Sequence, residues 1–168
     1  GSLVRTEATG YGAVYFMENM LGQHDEGIEG KTAVVSGSGN VALYCAERLV
    51  LSGAKVLTVS DSSGFIYDPD GLDEDKLAFL KTLKEVRRGR VAEYVDHYPH
   101  ARFEPDKRPW SVPCELAFPC ATQNELNAED ARTLVGNGLL ALAEGANMPT
   151  TLESMRVLRE AGVLFGPA

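Results

Sequence analysis

The segment Thr32–Ala42, which reads T-A-V-V-S-G-S-G-N-V-A, constrains the fold more than any other part of the chain. Its β-branched start suits a buried parallel strand, and an apolar pattern typical of a helix follows directly. Gly37 permits a sharp exit from the strand, and Gly39 lets the backbone approach a pyrophosphate with no Cβ between them. Ala42 is the third small position, where the helix packs closely on its strand. Glycines also serve purely structural turns, but this strand and helix context favours a dinucleotide-binding turn.

Predicted strands alternate with predicted helices along the rest of the chain. Short apolar runs bounded by turn residues predict strands at Thr32–Ser36, Lys55–Ser60, Glu115–Pro119, Leu139–Ala143 and Val163–Phe165. Helical spacing of apolar residues predicts helices at Thr9–Gln23, Val41–Ser52, Asp73–Arg87, Val91–Tyr98, Ala128–Val135 and a last helix that ends at Ala161. This alternation predicts an α/β fold, a doubly wound and mainly parallel sheet of the Rossmann-like, dinucleotide-binding kind, as one domain over residues 1–168.

Four further features carry local predictions. Asp61–Gly71 is rich in turn residues and is predicted to be a loop. Pro99–Pro113 has no periodicity and is predicted to be irregular, with a short strand at Ala101–Glu104. Asn127 is predicted to cap the helix that follows it. Thr150 and Glu153 have the spacing of a capping box at the start of the last helix.

Composition excludes several classes of function. A net charge of −8 argues against a nucleic-acid partner, which requires a basic face. The chain has no apolar run long enough to span a membrane. Its 3 cysteines and 3 histidines lack metal-ligand spacing, so we expect reduced thiols, a cytoplasmic protein and no metal. Because a dinucleotide is itself an anion, its binding must depend on local donors.

Small and amide residues follow four of the predicted strands. These segments are Gly37–Asn40, Asp61–Ser63, Cys120–Asn124 and Glu144–Asn147. The carboxyl ends of parallel strands meet at one edge of a sheet, where ligands of such folds bind. Asn, Gly and Ser also form ordinary turns, but four such segments at one edge favour a cofactor groove.

The residues leave the choice between NAD and NADP open. Asp61 lies near the distance from the glycine turn at which an acid usually contacts the adenosine ribose in NAD-binding folds. The cations Lys84, Arg87, Arg88 and Arg90 cluster at the end of the next helix and can neutralise a 2′-phosphate. A solvated helix terminus explains the same cluster, because its dipole favours Lys and Arg.

Five motifs together resemble the coenzyme-binding domain of hexameric glutamate dehydrogenases, of the bacterial NADP-dependent type. In chain order they are Arg5–Gly12 (R-T-E-A-T-G-Y-G), Ser36–Ala42, Ser60–Gly64 (S-D-S-S-G), Pro119–Glu125 (P-C-A-T-Q-N-E) and Ala143–Thr151 (A-E-G-A-N-M-P-T-T). The motifs are spread over nearly the whole chain. The resemblance implies NADP as the cofactor, with NAD as the other possibility.

The resemblance also implies roles for individual residues. The diphosphate and nicotinamide-ribose side of the cofactor would contact Thr9, Gly37, Ser38, Gly39, Asn40, Val41, Ala121, Thr122, Gln123 and Asn147, and Arg5 would lie near the cleft entrance. Ser62, Lys84 and Arg90, beside Asp61, would surround the adenosine 2′-phosphate. An aspartate next to that phosphate is tolerable if it accepts hydrogen bonds from the backbone or faces a cation.

For the whole enzyme the resemblance implies oxidative deamination of L-glutamate to 2-oxoglutarate and ammonia. The catalytic lysine and aspartate of this family lie on a preceding substrate domain, so no catalytic residue is expected in this chain. We therefore expect a fragment of a larger, homohexameric enzyme that lacks the substrate domain and the C-terminal end. Such a fragment would bind NADPH without deaminating glutamate.

Two alternatives fit parts of the sequence. The first is the cofactor domain of an NAD-dependent leucine-, valine- or phenylalanine-type amino acid dehydrogenase, which shares this scaffold. The second is a non-catalytic module that binds nucleotides or serves in assembly. The complete P-C-A-T-Q-N-E and D-S-S-G runs favour glutamate dehydrogenase over the first alternative.

Overall fold

Two sheets form the framework of the molecule, as seen in a computed structural model that describes the backbone of residues 2–168 and the side chains of residues 7–168. The described strands are β1 (Thr32–Val35), β2 (Lys55–Val56), β3 (Thr58–Asp61), β4 (Gly64–Tyr67), β5 (Arg102–Pro105), β6 (Leu116–Phe118), β7 (Ala141–Ala143) and β8 (Leu164–Gly166). Five of them form a parallel sheet in the order β2-β1-β6-β7-β8. The other three form an antiparallel sheet in the order β3-β4-β5.

Helices cover both faces of the parallel sheet. They are α1 (Ser2–Gly22), α2 (Asn40–Leu51), α3 (Glu74–Glu85), α4 (Tyr94–His97), α5 (Ala128–Gly136) and α6 (Leu152–Glu160), with 3-10 turns at Val91–Glu93 and Pro109–Ser111. Along β1, Ala33 and Val35 pack into a core with α1 and α2, whereas Val34 packs into a second core with α5 and α6. This alternation confirms the doubly wound α/β fold. None of the described helices has the length and apolar character to cross a membrane.

The second predicted strand is divided between the two sheets, so the prediction of one parallel strand over Lys55–Ser60 is wrong. The chain leaves the parallel sheet at Leu57, and β3 begins at Thr58. The Thr58 hydroxyl donates to the Val35 carbonyl (2.8 Å) and accepts from the Val35 N–H (3.1 Å). The Thr58 side chain thus forms the hydrogen bonds that a neighbouring strand backbone would form at the end of β1. The backbone of β3 is therefore free to pair with β4.

The predicted loop at Asp61–Gly71 instead contains β4, which is a second correction. Its turn residues close a hairpin in which β4 pairs antiparallel with β3. Phe65 and Ile66 are buried, so the strand carries apolar side chains into both cores. The expected short strand at Ala101–Glu104 is found as β5, and it completes this sheet beside β4.

Gly10 brings α1 into close contact with α2. A Cβ on Gly10 would lie 2.8 Å from the Val41 carbonyl oxygen and 3.0 Å from the Cys45 backbone nitrogen. Only a residue without a side chain allows this approach. The turn of α1 that carries Gly10 therefore lies beside the first turn of α2.

The last helix is capped by Thr151, so the predicted capping box of Thr150 and Glu153 is wrong. The Thr151 hydroxyl accepts from the Ser154 N–H at 3.2 Å. Thr150 is instead buried, and its N–H donates to Glu144 at 3.2 Å. It also forms a β-bridge with Leu126. This long-range pairing holds Thr150 in strand-like backbone one residue before the cap.

Replacement of Thr151 by alanine is expected to lower the free energy of unfolding by about 1 kcal/mol, because the N-cap acceptor is lost. Thr151→Ser keeps the hydroxyl and should retain most of the stability. Thr133→Ala is the matched control, since the exposed Thr133 hydroxyl only donates back to the Glu129 carbonyl within α5. Urea unfolding measures all three variants. Equal losses in T151A and T133A would contradict the assignment of the cap.

Candidate cofactor-binding cleft

A cleft of about 1150 Å³ opens where β1, β3 and β6 end. Nine of the predicted site residues line it, namely Gly37, Ser38, Gly39, Asn40, Val41, Asp61, Ser62, Ala121 and Thr122. The cleft lies at the carboxyl edge of the parallel strands, where ligands bind in open α/β sheets. Its volume lies slightly above the usual range of about 300–1,000 Å³ for a small-molecule site.

The glycine turn forms the floor of the cleft. Gly37 has a left-handed backbone (φ 91°), and a Cβ there would lie 3.0 Å from the Cys120 carbonyl oxygen. Its N–H donates to the Ser60 hydroxyl at 2.7 Å, and the Ser60 N–H donates back to the Gly37 carbonyl at 3.0 Å. Two buried hydrogen bonds and one close packing contact therefore fix the turn against β3 and β6.

The start of α2 faces the cleft with its backbone open. Gly39 lines the cleft, and a Cβ built on it meets no atom of the rest of the chain within 4 Å. Among the described residues no side chain caps α2. Its first N–H groups and the positive end of its dipole are thus available to an anion. This open backbone fits the diphosphate of a dinucleotide.

Two predicted cations, Lys84 and Arg90, lie beside the Ser62 end of the cleft, although neither belongs to the described cleft lining. Arg90 Nη1 donates to the Ser62 hydroxyl at 2.9 Å. Lys84 Nζ lies 3.6 Å from Asp61 Oδ2 and donates to the Gly89 carbonyl at 3.0 Å. Partial burial raises the pKa of Asp61, but hydrogen bonds from Ser63 and Val91 and the charge of Lys84 outweigh it, so the pKa is lowered overall.

Glu125 supports the turn at the other end of the cleft. Its Oε2 accepts from the backbone N–H groups of Ala121 (2.9 Å) and Thr122 (3.0 Å). Its carbonyl accepts from Arg108 Nη1 at 3.1 Å and from Trp110 Nε1 at 3.3 Å. The residue is 1% exposed. Burial raises the pKa of Glu125 by more than its hydrogen bonds lower it.

The remaining predicted site residues lie around or outside the cleft lining. The Arg5 side chain lies outside the described residues. Thr9 is exposed on α1, next to the glycine that contacts α2. Gln123 and Asn147 are exposed in the loops after β6 and β7, and among the described residues neither belongs to the cleft lining.

Several lining residues were not predicted. They are Ser60, Gly64, Asp106, Lys107, Arg108, Ser111, Cys120, Glu125, Asn127 and Asp130. Ser60, Cys120 and Glu125 belong to the motifs that indicated the cleft, so position within those motifs could have identified them. The wall from Asp106 to Ser111 could not be found that way. It is brought there by the pairing of β5 with β4 and by an N–H donated from Asp106 to the Ser63 carbonyl at 2.9 Å.

The described side chains carry no metal centre. No three His, Cys, Asp or Glu residues among them form a group that could hold a metal ion. All three cysteines are free and buried. The cleft offers backbone N–H groups, hydroxyls and cations to an organic phosphate ligand, and its lining also includes the carboxyl groups of Asp61, Asp106, Glu125 and Asp130.

Comparison with known proteins identifies relatives of this chain. The family described as Glutamate/Leucine/Phenylalanine/Valine dehydrogenase matches residues 1–168. An NAD(P)-specific glutamate dehydrogenase from Xylanibacter ruminicola is 53% identical over 167 residues. An NADP-specific glutamate dehydrogenase from Salmonella typhimurium is 54% identical over 167 residues. Each alignment covers 99% of this chain but 37% of the relative, so the chain spans little more than a third of their length.

Solved structures give the same result. Glutamate dehydrogenase from Plasmodium falciparum superimposes with a TM-score of 0.94 at 47% identity, over 98% of this chain and 35% of that one. Glutamate dehydrogenase from Peptoniphilus asaccharolyticus superimposes with a TM-score of 0.70 at 23% identity, over 97% of this chain and 34% of that one. The second likeness shows the shared fold alone.

Replacement of Glu125 by glutamine is expected to change how stability depends on pH. Because the folded-state pKa of Glu125 is raised, the folded chain holds this proton more tightly than the unfolded chain does. The stabilisation from this proton is complete below the pKa that Glu125 has in the unfolded chain. It is lost as pH rises through the pKa that Glu125 has in the folded chain. The free energy of unfolding of the wild type, minus that of E125Q, should therefore increase as pH falls from about 8 to about 4.

Urea unfolding at several pH values measures this difference. Glu129→Gln, at an exposed position on α5, controls for the loss of one charge. A wild-type minus E125Q difference that stays flat, or that falls toward acid pH, would contradict a raised pKa.

Proposed function

Because the chain belongs to the glutamate/leucine/phenylalanine/valine dehydrogenase family, we propose that it is the NADP-binding domain of a glutamate dehydrogenase. The enzyme would interconvert L-glutamate and 2-oxoglutarate plus ammonia, with NADP as the hydride carrier. The observation that carries the cofactor assignment is the hydrogen bond from Arg90 to Ser62, with Lys84 close by, at one end of a cleft that starts at an open glycine turn. Relatives named NADP-specific support this choice.

Each part of the cofactor has matching groups in the cleft. The diphosphate would bind the backbone of Gly37–Val41, where the helix start offers N–H groups. The adenosine 2′-phosphate would bind Ser62, Lys84 and Arg90, since a phosphate prefers charge-assisted hydrogen bonds. The nicotinamide half would extend toward Ala121 and Thr122. Thr9, Gln123, Asn147 and Arg5 remain proposed contacts of the nicotinamide-ribose side and the cleft entrance.

The role of this chain in the reaction is orientation. When bound, the nicotinamide ring supplies the hydride acceptor or donor. Glu125 fixes the turn at Ala121 and Thr122 through two backbone N–H groups, so the wall on which the ring would rest is rigid. A rigid wall holds the reacting atoms at a reproducible distance, which lowers the entropic part of the barrier.

The substrate side of the reaction is proposed to lie outside these 168 residues. The described cleft lining holds Lys107 and three aspartates, and we assign none of them to chemistry on glutamate. A substrate domain of the same enzyme would close over the nicotinamide and exclude water. We further propose that the complete enzyme is a homohexamer.

Calorimetric titration with NADPH, NADH and ADP tests the proposed cofactor. We expect NADPH to bind at least about tenfold more tightly than NADH, because charge-assisted hydrogen bonds to the 2′-phosphate contribute about 1.5–3 kcal/mol. Arg90→Met should remove most of this preference while NADH binding stays unchanged. Arg87→Met is the matched control, since Arg87 belongs to the same basic cluster but pairs with Glu93.

Other outcomes of this titration point to the alternatives. Tighter binding of NADH than of NADPH would favour a leucine-, valine- or phenylalanine-type dehydrogenase. A wild-type chain that binds none of the three nucleotides would favour a non-catalytic module. Equal effects of R87M and R90M would contradict the specific role of the Ser62 end of the cleft.

Gly39→Ala tests the backbone approach to the diphosphate. Gly39 lines the cleft, and a methyl group at this position meets no atom of the rest of the chain within 4 Å. The free energy of unfolding should fall by no more than about 1 kcal/mol, the loss expected for alanine at an N-cap. NADPH affinity should fall at least about tenfold, because the methyl group occupies the place of a phosphate oxygen. Isothermal calorimetry and urea unfolding measure the two effects.

Gly136→Ala provides the control, since a Cβ there also meets no atom within 4 Å and the residue lies at the end of α5, outside the cleft lining. It should leave NADPH affinity unchanged. A G39A variant that binds NADPH like the wild type would contradict a close approach of the diphosphate to this backbone.

A further inference from the structure

We propose that Asp61 is a positioning residue for recognition of the 2′-phosphate: it holds Lys84 and the backbone beside Arg90 in place against Ser62, and it does not contact the ribose itself. This inference rests on the proposed NADP-binding function and assigns Asp61 a role different from the ribose contact that its sequence position predicts. In this role the Asp61 carboxylate strengthens phosphate binding, whereas simple charge repulsion would weaken it.

All acceptor positions of the Asp61 carboxylate are directed at protein donors. Oδ1 accepts from the backbone N–H of Ser63 at 2.8 Å and from the Ser63 hydroxyl. Oδ2 accepts from the backbone N–H of Val91 at 2.9 Å and lies 3.6 Å from Lys84 Nζ. A carboxylate has about four lone-pair sites: three accept hydrogen bonds here, and Lys84 lies beside Oδ2 at ion-pair distance. A ribose hydroxyl would have to compete with this cation for the remaining site.

The exposure of the side chains also supports a positioning role for Asp61. The Asp61 side chain is 7% exposed, whereas the Lys84 side chain is 20% exposed and Ser62 is exposed. An incoming phosphate would therefore meet the hydroxyl of Ser62 and the two cations before it met the carboxylate. The negative charge lies behind these groups, already compensated by Lys84 and by backbone dipoles.

Asp61 connects three separate elements that must converge on the phosphate. Ser63 belongs to the β3–β4 turn that also presents Ser62. Lys84 lies in the last turn of α3. Val91 follows Arg90 directly at the start of a 3-10 turn. Because one carboxylate accepts hydrogen bonds from two of these elements and forms an ion pair with the third, its loss would release the Arg90 segment and the Lys84 ammonium from the Ser62 turn.

The carboxylate also allows two cations to lie close together before a ligand arrives. Lys84 lies beside Asp61, and Arg90 bonds to Ser62, the next residue along the same turn. Without a nearby negative charge the mutual repulsion of the two cations would favour more open side-chain positions. Preorganised cations lose less side-chain entropy when the phosphate binds.

Repulsion and positioning predict opposite effects of Asp61→Asn. If Asp61 mainly repels the phosphate, its neutralisation raises NADPH affinity. If Asp61 positions the site, the amide cannot replace all of its hydrogen bonds, because its NH₂ group faces donors instead of accepting from them. NADPH affinity then falls. We expect about a tenfold increase of the dissociation constant of NADPH, and less than about a twofold change for NADH.

Calorimetric titration of wild type and D61N with NADPH and with NADH is the test. Asp25→Asn is the matched control: it removes the same charge from an exposed turn outside the described cleft lining, and its left-handed backbone (φ 59°) suits asparagine. D25N should therefore not weaken NADPH binding.

Two further variants separate positioning from general damage. Ser63→Ala removes one donor to Asp61 and should weaken NADPH binding about threefold without affecting NADH. Because Asp61 acts through Lys84, the loss of NADPH affinity in D61N/K84M should be smaller than the product of the losses in D61N and K84M. Equal losses of NADPH and NADH binding, or fully independent effects in the double variant, would overturn the inference.

The experiment also separates this inference from the proposed function. If wild type prefers NADPH but D61N binds NADPH as tightly as wild type or more tightly, the positioning role is wrong and the NADP assignment stands. If wild type shows no preference for NADPH, the proposed function fails, and the role of Asp61 fails with it.

Discussion

The close approach of Gly37 to the carbonyl of Cys120 is the constraint on which the cleft depends. Three strand ends meet there: β1 leads into the glycine turn, β3 bonds to it through Ser60, and β6 leads to the Cys120 carbonyl. A side chain at Gly37 is excluded because the backbone there is left-handed and a Cβ would lie only 3.0 Å from the Cys120 carbonyl oxygen. The direction in which α2 leaves the sheet follows from this turn, and with it the open helix start that faces the cleft.

Two of the four carboxyl groups in the described cleft lining, those of Asp61 and Glu125, accept hydrogen bonds from the protein itself. Asp61 accepts hydrogen bonds from Ser63 and Val91 and has a lowered pKa, whereas Glu125 is buried and has a raised pKa. The directions differ because donors and Lys84 dominate around Asp61, while desolvation dominates around Glu125. Both groups hold backbone segments in place. A chain with a net charge of −8 can in this way offer an anion mostly N–H groups, hydroxyls and cations.

The antiparallel sheet of β3, β4 and β5 extends the parallel sheet and supplies one wall of the cleft. At Thr58 the pairing changes from backbone to side chain, and β3 is free to form a hairpin with β4. The hairpin turn presents Ser62 to Arg90, and β5 leads into the wall that begins at Asp106. Recognition of the adenosine half would therefore be a property of this second sheet, whereas the diphosphate would bind the parallel one.

The sequence by itself determined the features that depend on local pattern. The glycine turn, the helices of both layers and the cap at Asn127 could be predicted, because periodicity and N-cap chemistry act over a few residues. Only the tertiary structure decided the division of the second strand, the cap at Thr151 instead of Thr150, and the bond from Val91 to Asp61. Each of these depends on hydrogen bonds between residues distant in the chain, and such pairing leaves no period or motif in the sequence.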